Sequence, residues 1–138
     1  MSLKRILLTV ALLAGFSAPA LAQPFPRPVL QYAGQFVFGS TLIVGLTVVN
    51  WNDYSPALFA ASPKLPPCGL NAAASRTWVD IYNVRNTRLY GFCDLGEPFS
   101  LTQLWFSLPS AQRPRSVYIT LTDRLRLRRV VSNRVAIP

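Results

Sequence analysis

The groups in this chain that could do chemistry are two cysteines, five carboxylates and a set of arginines; no histidine occurs among its 138 residues. Without imidazole the chain lacks the commonest general base, the Ser-His and Cys-His nucleophile pairs, and the usual nitrogen ligands of zinc, iron and copper. The acids Asp53, Asp80, Asp94, Glu97 and Asp123 are scattered along the chain. Paired carboxylates hydrolyse glycosides only at a defined separation in space, and in a small proline-rich chain the ordinary work of such acids is to cap turns and pair with arginine. Asp94 and Glu97 lie beside Gly96, as in a calcium loop, but the acidic spacing of an EF-hand is absent. No Ser-Lys motif stands out either. The expectation is a non-enzymatic protein that uses neither cofactor nor metal.

Cys68 and Cys93 are the two cysteines. A metal would need two further soft ligands and redox chemistry would need a C-x-x-C pair, so a structural disulfide is expected. Closing a loop of that length stabilises a fold by about 3 kcal/mol in the chain-entropy model.

Fourteen basic residues against five acidic ones give a net charge of +9, and the excess sits at the C-terminal end, where residues 113–138 hold seven arginines and the single acid Asp123. Read as a strand, Asp123-Arg124-Leu125-Arg126-Leu127-Arg128 puts Arg124, Arg126 and Arg128 on one face in a row about 7 Å apart, with Arg113, Arg115, Arg129 and Arg134 to widen it. Guanidinium forks bind phosphate and carboxylate in bidentate fashion, so the row suits an anionic surface, whether lipid head group, acidic polysaccharide or carboxylate-rich protein. The plainer reading is an edge strand whose charges prevent aggregation. Nucleic acid is the poorest fit, since no helix carries these residues in a reading motif.

A second candidate surface is aromatic. Residues 76–82 and 88–93 read as a hairpin turning through Asn83-Val84-Arg85-Asn86-Thr87. With Tyr82 opposite Arg88, Asp80 would oppose Tyr90 and Trp78 would oppose Phe92, so Trp78, Tyr82, Tyr90 and Phe92 form an outer platform able to stack on sugars or a protein partner. The other face would set Ile81 against Leu89, Val79 against Gly91 and Thr77 against Cys93, a smaller apolar set better suited to the interior. The bland alternative is that a second layer or a loop covers the aromatics.

The remaining segments position these groups. Residues 1–22 carry Lys4 and Arg5, an apolar run from Ile6 to Phe16, and Ala20-Leu21-Ala22, which is the form of a cleaved secretory signal peptide. That places the protein in a periplasm or outside the cell. The apolar run Thr41–Val49 is too short to cross a bilayer, so no transmembrane segment is expected after cleavage. Residues 23–34 read as an extended proline-rich arm and residues 35–138 as the folded domain.

Within the domain, residues 36–49 read as one bent strand or two short ones, and Ser55-Pro56 as the cap of a short helix stopped by Pro63. Ser100-Leu101-Thr102-Gln103 has the form of a capping box with a Phe99–Leu104 staple; the rival reading makes 101–108 a strand. Residues 116–122 alternate cleanly, with Tyr118, Thr120 and Thr122 opposite Val117, Ile119 and Leu121, and 124–137 is read as a closing strand. About seven short strands with one or two helical turns fit a single, mainly β, antiparallel β-sandwich of immunoglobulin-like type, with a small β-barrel as the alternative. The function expected is an exported binding or interaction module, the alternative being an accessory subunit of an exported complex that docks through its arm.

Overall fold

Period-two alternation builds the interior. In the computed structural model, which describes residues 25–70 and 72–138, Leu42, Val44, Leu46 and Val48 of one strand and Val117, Ile119 and Leu121 of another are all buried in one apolar cluster. Each such side chain, taken out of water, contributes roughly 1.5–3 kcal/mol. The strands are β1 (Leu30–Phe38), β2 (Thr41–Val48), β3 (Thr77–Asn83), β4 (Arg88–Phe92), β5 (Leu104–Pro109), β6 (Ser116–Asp123), β7 (Arg128–Val131) and β8 (Val135–Ala136). They form one sheet ordered β1-β2-β5 and a second ordered β4-β3-β6-β7, with β8 also paired to β6. Every strand pairing is antiparallel.

The inner faces of both sheets meet in the single cluster, so the fold is a β-sandwich and its sheets do not close into a barrel. The expected leader and the first two residues of the arm lie outside the described residues.

Where the chain leaves the sheets, short turns seal the ends. Residues 36–49 are two strands, not one, because Gly39 at φ +62° opens a two-residue turn with Ser40. The first strand starts at Leu30, inside the stretch read as an arm, and the arm that precedes it is tied down by the domain: Arg27 Nε donates to the Val131 carbonyl at 3.0 Å and the Tyr54 hydroxyl to that of Pro26. Burial, with a lesser push from Asp53, raises the pKa of the Tyr54 phenol. Ser55 does cap a single 3-10 turn, Pro56–Leu58, which delivers Leu58 and Phe59 into the core. Cys68 and Cys93 form the expected disulfide, with Cα atoms 5.6 Å apart, and pin the long β2–β3 connection to the end of β4.

Four expectations of register and boundary fail, each for a local reason. The hairpin keeps Tyr82 opposite Arg88, but Leu89 is then an extra residue, so Ile81 opposes Tyr90, Asp80 opposes Gly91 and Val79 opposes Phe92. This bulge puts Arg88 and Gly91 on the same outer side: Arg88 Nε reaches Asp80 Oδ1 at 2.7 Å across the space that Gly91 leaves open, where a Cβ would stand 2.0 Å from the guanidinium. Tyr90 and Phe92 therefore turn to the opposite face, against each other and Phe106.

The segment 124–137 is not one strand. Residues 124–127 form a turn with Leu127 at φ +54°, because Asp123 Oδ1 accepts the N–H groups of Leu125 and Arg126 at 3.2 and 3.3 Å and bends the chain back as β7. The expected row of Arg124, Arg126 and Arg128 on one strand face does not exist. The helical turn expected around Ser100 is present as a 3-10 turn from Pro98 to Thr102, but Ser100 opens no capping box, Pro98 having the φ its first position needs, and Leu104–Pro109 follows as β5.

Candidate functional site: an arginine layer over an aromatic face

The outer face of the second sheet follows from the same alternation that fills its inner face. On β3, Trp78, Asp80 and Tyr82 point outward and oppose Thr122, Thr120 and Tyr118 of β6. Tyr82 and Tyr118 stack, centroids 5.3 Å apart and planes 14° apart, and the Tyr118 hydroxyl donates to Asn86 Oδ1 at 2.9 Å. Asn86 sits at φ +60° in the β3–β4 turn, a conformation asparagine tolerates well, and Asn83 Oδ1 accepts the N–H groups of Arg85 and Thr87 there.

Guanidinium groups lie over these rings. Arg124 stands 4.1 Å from the Trp78 ring centroid, Arg134 5.3 Å from that of Tyr118, and Arg129 5.8 Å from that of Tyr82. Each exposed contact of this kind is worth about 0.5–1 kcal/mol. The layer also explains why Thr120 and Tyr118, on an outer face, are 1% and 9% exposed: the cover is stacked rings and arginine stems rather than another sheet. Trp78 Nε1 and Thr120 Oγ1 lie buried in this layer without a hydrogen-bond partner among the described residues.

Charge on this face is one-sided. Its carboxylate, Asp80, is held by Arg88. Asp123, with a fully buried side chain, is occupied by Arg76 Nη2 at 3.0 Å and Arg128 Nη2 at 3.1 Å. Among the described residues no carboxylate pairs with Arg124, Arg129 or Arg134. A guanidinium held over a ring face and not engaged by a carboxylate has N–H donors left for a ligand, and those donors match phosphate, sulfate or carboxylate oxygens. Beyond the Asn83 end of the sheet, a cleft of about 560 Å³ is flanked by Arg85, Arg113 and Arg115. Arg113 there donates to the Pro138 carbonyl.

Of the three arginines expected in the row itself, Arg124 alone joins the aromatic face, together with Arg129 and Arg134 from the set expected to widen it. Arg126 is exposed in the turn, and Arg128 is drawn to Asp123 and to the Phe25 ring, 4.9 Å from its centroid. Of the expected aromatic platform, Trp78 and Tyr82 are present; Tyr90 and Phe92 are on the other side of the sheet. Tyr118 replaces them, and its place was visible in the alternation of 116–122. Comparison of the chain with family models, curated proteins and solved structures finds no match.

Proposed function

We propose that this protein is an exported, non-enzymatic binding module that holds an anionic polymer or surface against the outer face of its β4-β3-β6-β7 sheet. The carrying observation is the layer of Arg124, Arg129 and Arg134 over Trp78, Tyr82 and Tyr118, with the two nearest carboxylates already taken by other arginines. The leader-like residues 1–22 and the disulfide support export. Strand order supports an immunoglobulin-like reading. In constant-type domains the first, second, fifth and fourth strands share one sheet and the third, sixth and seventh the other. Here the order is the same except that the fourth strand stands beside the third.

The alternative of docking through the arm draws less support, because residues 25–28 are engaged with their own domain through Tyr54, Val131 and Asn50.

Retention of residues 23–138 on immobilised heparin tests the proposal. The double variant Arg129→Ser/Arg134→Ser and the control Lys64→Ser/Arg126→Ser lose the same charge. At about 0.5 kcal/mol per contact, the first should weaken binding about fivefold and elute at lower salt than the control. Equal shifts in both would mean that net charge, not this face, binds the polymer.

A further inference from the structure

We propose that the outer edge of β1 binds a second copy of this chain, strand against strand across a two-fold axis, independently of the anionic face. β1 is an edge strand of nine residues, LQYAGQFVF, with no charged side chain and no proline to keep it from pairing; the bulge it does carry, between Tyr32 and Gly34, lies outside its Gln35–Phe38 half. Elsewhere the protein does carry such charges: β4 has Arg88, and β7 has Arg128 and Arg129. The far edge of the same sheet, β5, ends on Pro109 and has Tyr90 of β4 packed beside Phe106. In a chain of net charge +9, two copies repel at most orientations, and an uncharged edge is where they can approach.

Along the half toward Phe38 no backbone hydrogen bond meets the outward edge among the described residues, and the C-terminal segment touches it through the Gln35 side chain, whose Nε2 donates to the Pro138 carbonyl at 2.7 Å. Phe38 opposite Thr41 closes the two-residue turn, so Phe38 and Phe36 exchange hydrogen bonds with β2, while Gln35 and Val37 turn their N–H and C=O groups outward. At the other end of β1 the outward groups of Leu30 are met by the Asn133 side chain, at 2.8 and 3.0 Å. Phe36, Val37, Phe38 and Trp105 are 52, 63, 78 and 43% exposed. Taking ordinary side-chain areas, these four expose roughly 450 Å² per copy, and strand pairing would cover the part of it that faces the second copy, against the roughly 800 Å² that a standard interface buries on each partner. The strand backbones and Ile43 add to that.

One antiparallel register satisfies the outward groups of both copies: Gln35 against the second copy's Val37, and Phe36 against its own equivalent on the axis. That register sets each Phe38 over the other copy's Gly34, which has no side chain and lies beside Trp105.

Sedimentation equilibrium of residues 23–138 should give twice the chain mass, and Phe36→Lys, which puts two like charges directly opposite each other, should give the single mass with an unchanged circular dichroism spectrum. Under oxidation Phe36→Cys should cross-link to itself, since non-hydrogen-bonded partners fall within disulfide reach, and Phe38→Cys, although more exposed, should cross-link far less. A wild-type protein monomeric at all concentrations, a dimeric Phe36→Lys variant, or equal cross-linking of the two cysteine variants would overturn the proposal.

Discussion

Replacing Asp123 with Asn should be the costliest single change of one atom in this protein. Its carboxylate is fully buried, receives Arg76 through Nε and Nη2 at 3.0 Å each and Arg128 at 3.1 Å, and accepts two turn N–H groups. Removing one partner of a buried ionic cluster costs about 3–5 kcal/mol, because the remaining charges stay in place without compensation. Burial pushes the carboxyl pKa up, and the hydrogen bonds from Arg76, Arg128 and the Arg126 N–H outweigh it, holding the value at about 2 against an ordinary 3.8. A pKa depressed in the folded state stabilises the fold fully above the unfolded value and ceases to do so as pH falls through the folded one. Asp123 should therefore contribute about 2 kcal/mol above pH ~4 that disappears between about pH 4 and pH 2.

Urea unfolding of wild type and Asp123→Asn, with the disulfide intact, isolates this contribution, because the two proteins differ at no other carboxyl. The stability gap should be about 3 kcal/mol or more at pH 7 and contract by about 2 kcal/mol at pH 2. A gap below about 1 kcal/mol at neutral pH, or one unchanged between pH 5 and pH 2, would mean that the buried carboxylate does not hold this turn together.

Other changes test other joints of the fold. Cys68→Ser/Cys93→Ser should lower unfolding free energy by about 3 kcal/mol, read by the same urea titration; an unchanged midpoint would mean the bridge restrains nothing. Gly45→Ala would place a Cβ 2.5 Å from the Trp105 ring, so the indole must swing outward; we expect a loss of about 1–3 kcal/mol and a shift in tryptophan emission, both absent if the ring is not seated there. Gly91→Ala should expel Arg88 from Asp80 yet cost only about 1 kcal/mol or less, since the Arg88 side chain is 59% exposed, as thermal unfolding would show.

What could be read from the residues was whatever depends on alternation alone. Period two marks Thr77, Val79 and Ile81 as the inward face of the hairpin and groups Val117, Ile119 and Leu121 on one face of their strand, and all six are buried. The disulfide follows from the even cysteine count and the absence of metal-ligand or C-x-x-C spacing. One misreading comes from a single residue outside the alternation, which reverses every side chain after it. Leu89 does so in β4 and sends Tyr90 and Phe92 away from Trp78. The bulge brings Arg88 to Asp80, an ion pair that a reading by hydrophobicity does not weigh. The arginine row fails separately, because Arg124-Leu125-Arg126-Leu127 alternates as well as any strand, and the buried Asp123 overrides it by accepting the turn N–H groups. Stacking of arginine on tyrosine from non-adjacent strands has no local pattern at all.

The charge-free edge and the arginine face bear on each other. In a continuous antiparallel sheet, side chains of paired residues point to the same side, so a two-fold axis through Phe36 stands perpendicular to the joined β1-β2-β5 sheets. Both copies then turn their second sheets to the same side of the dimer, and six stacked arginines in place of three face one polymer. Binding through two linked sites exceeds binding through one by up to about 10²–10⁴ when both engage. Phe36→Lys adds a positive charge, and by charge alone it should be retained longer on heparin. If the copies pair through β1, it should instead elute earlier, with affinity at least about tenfold weaker. Later elution of a variant shown to be monomeric would mean that the two copies do not share one polymer, and that each arginine face acts alone.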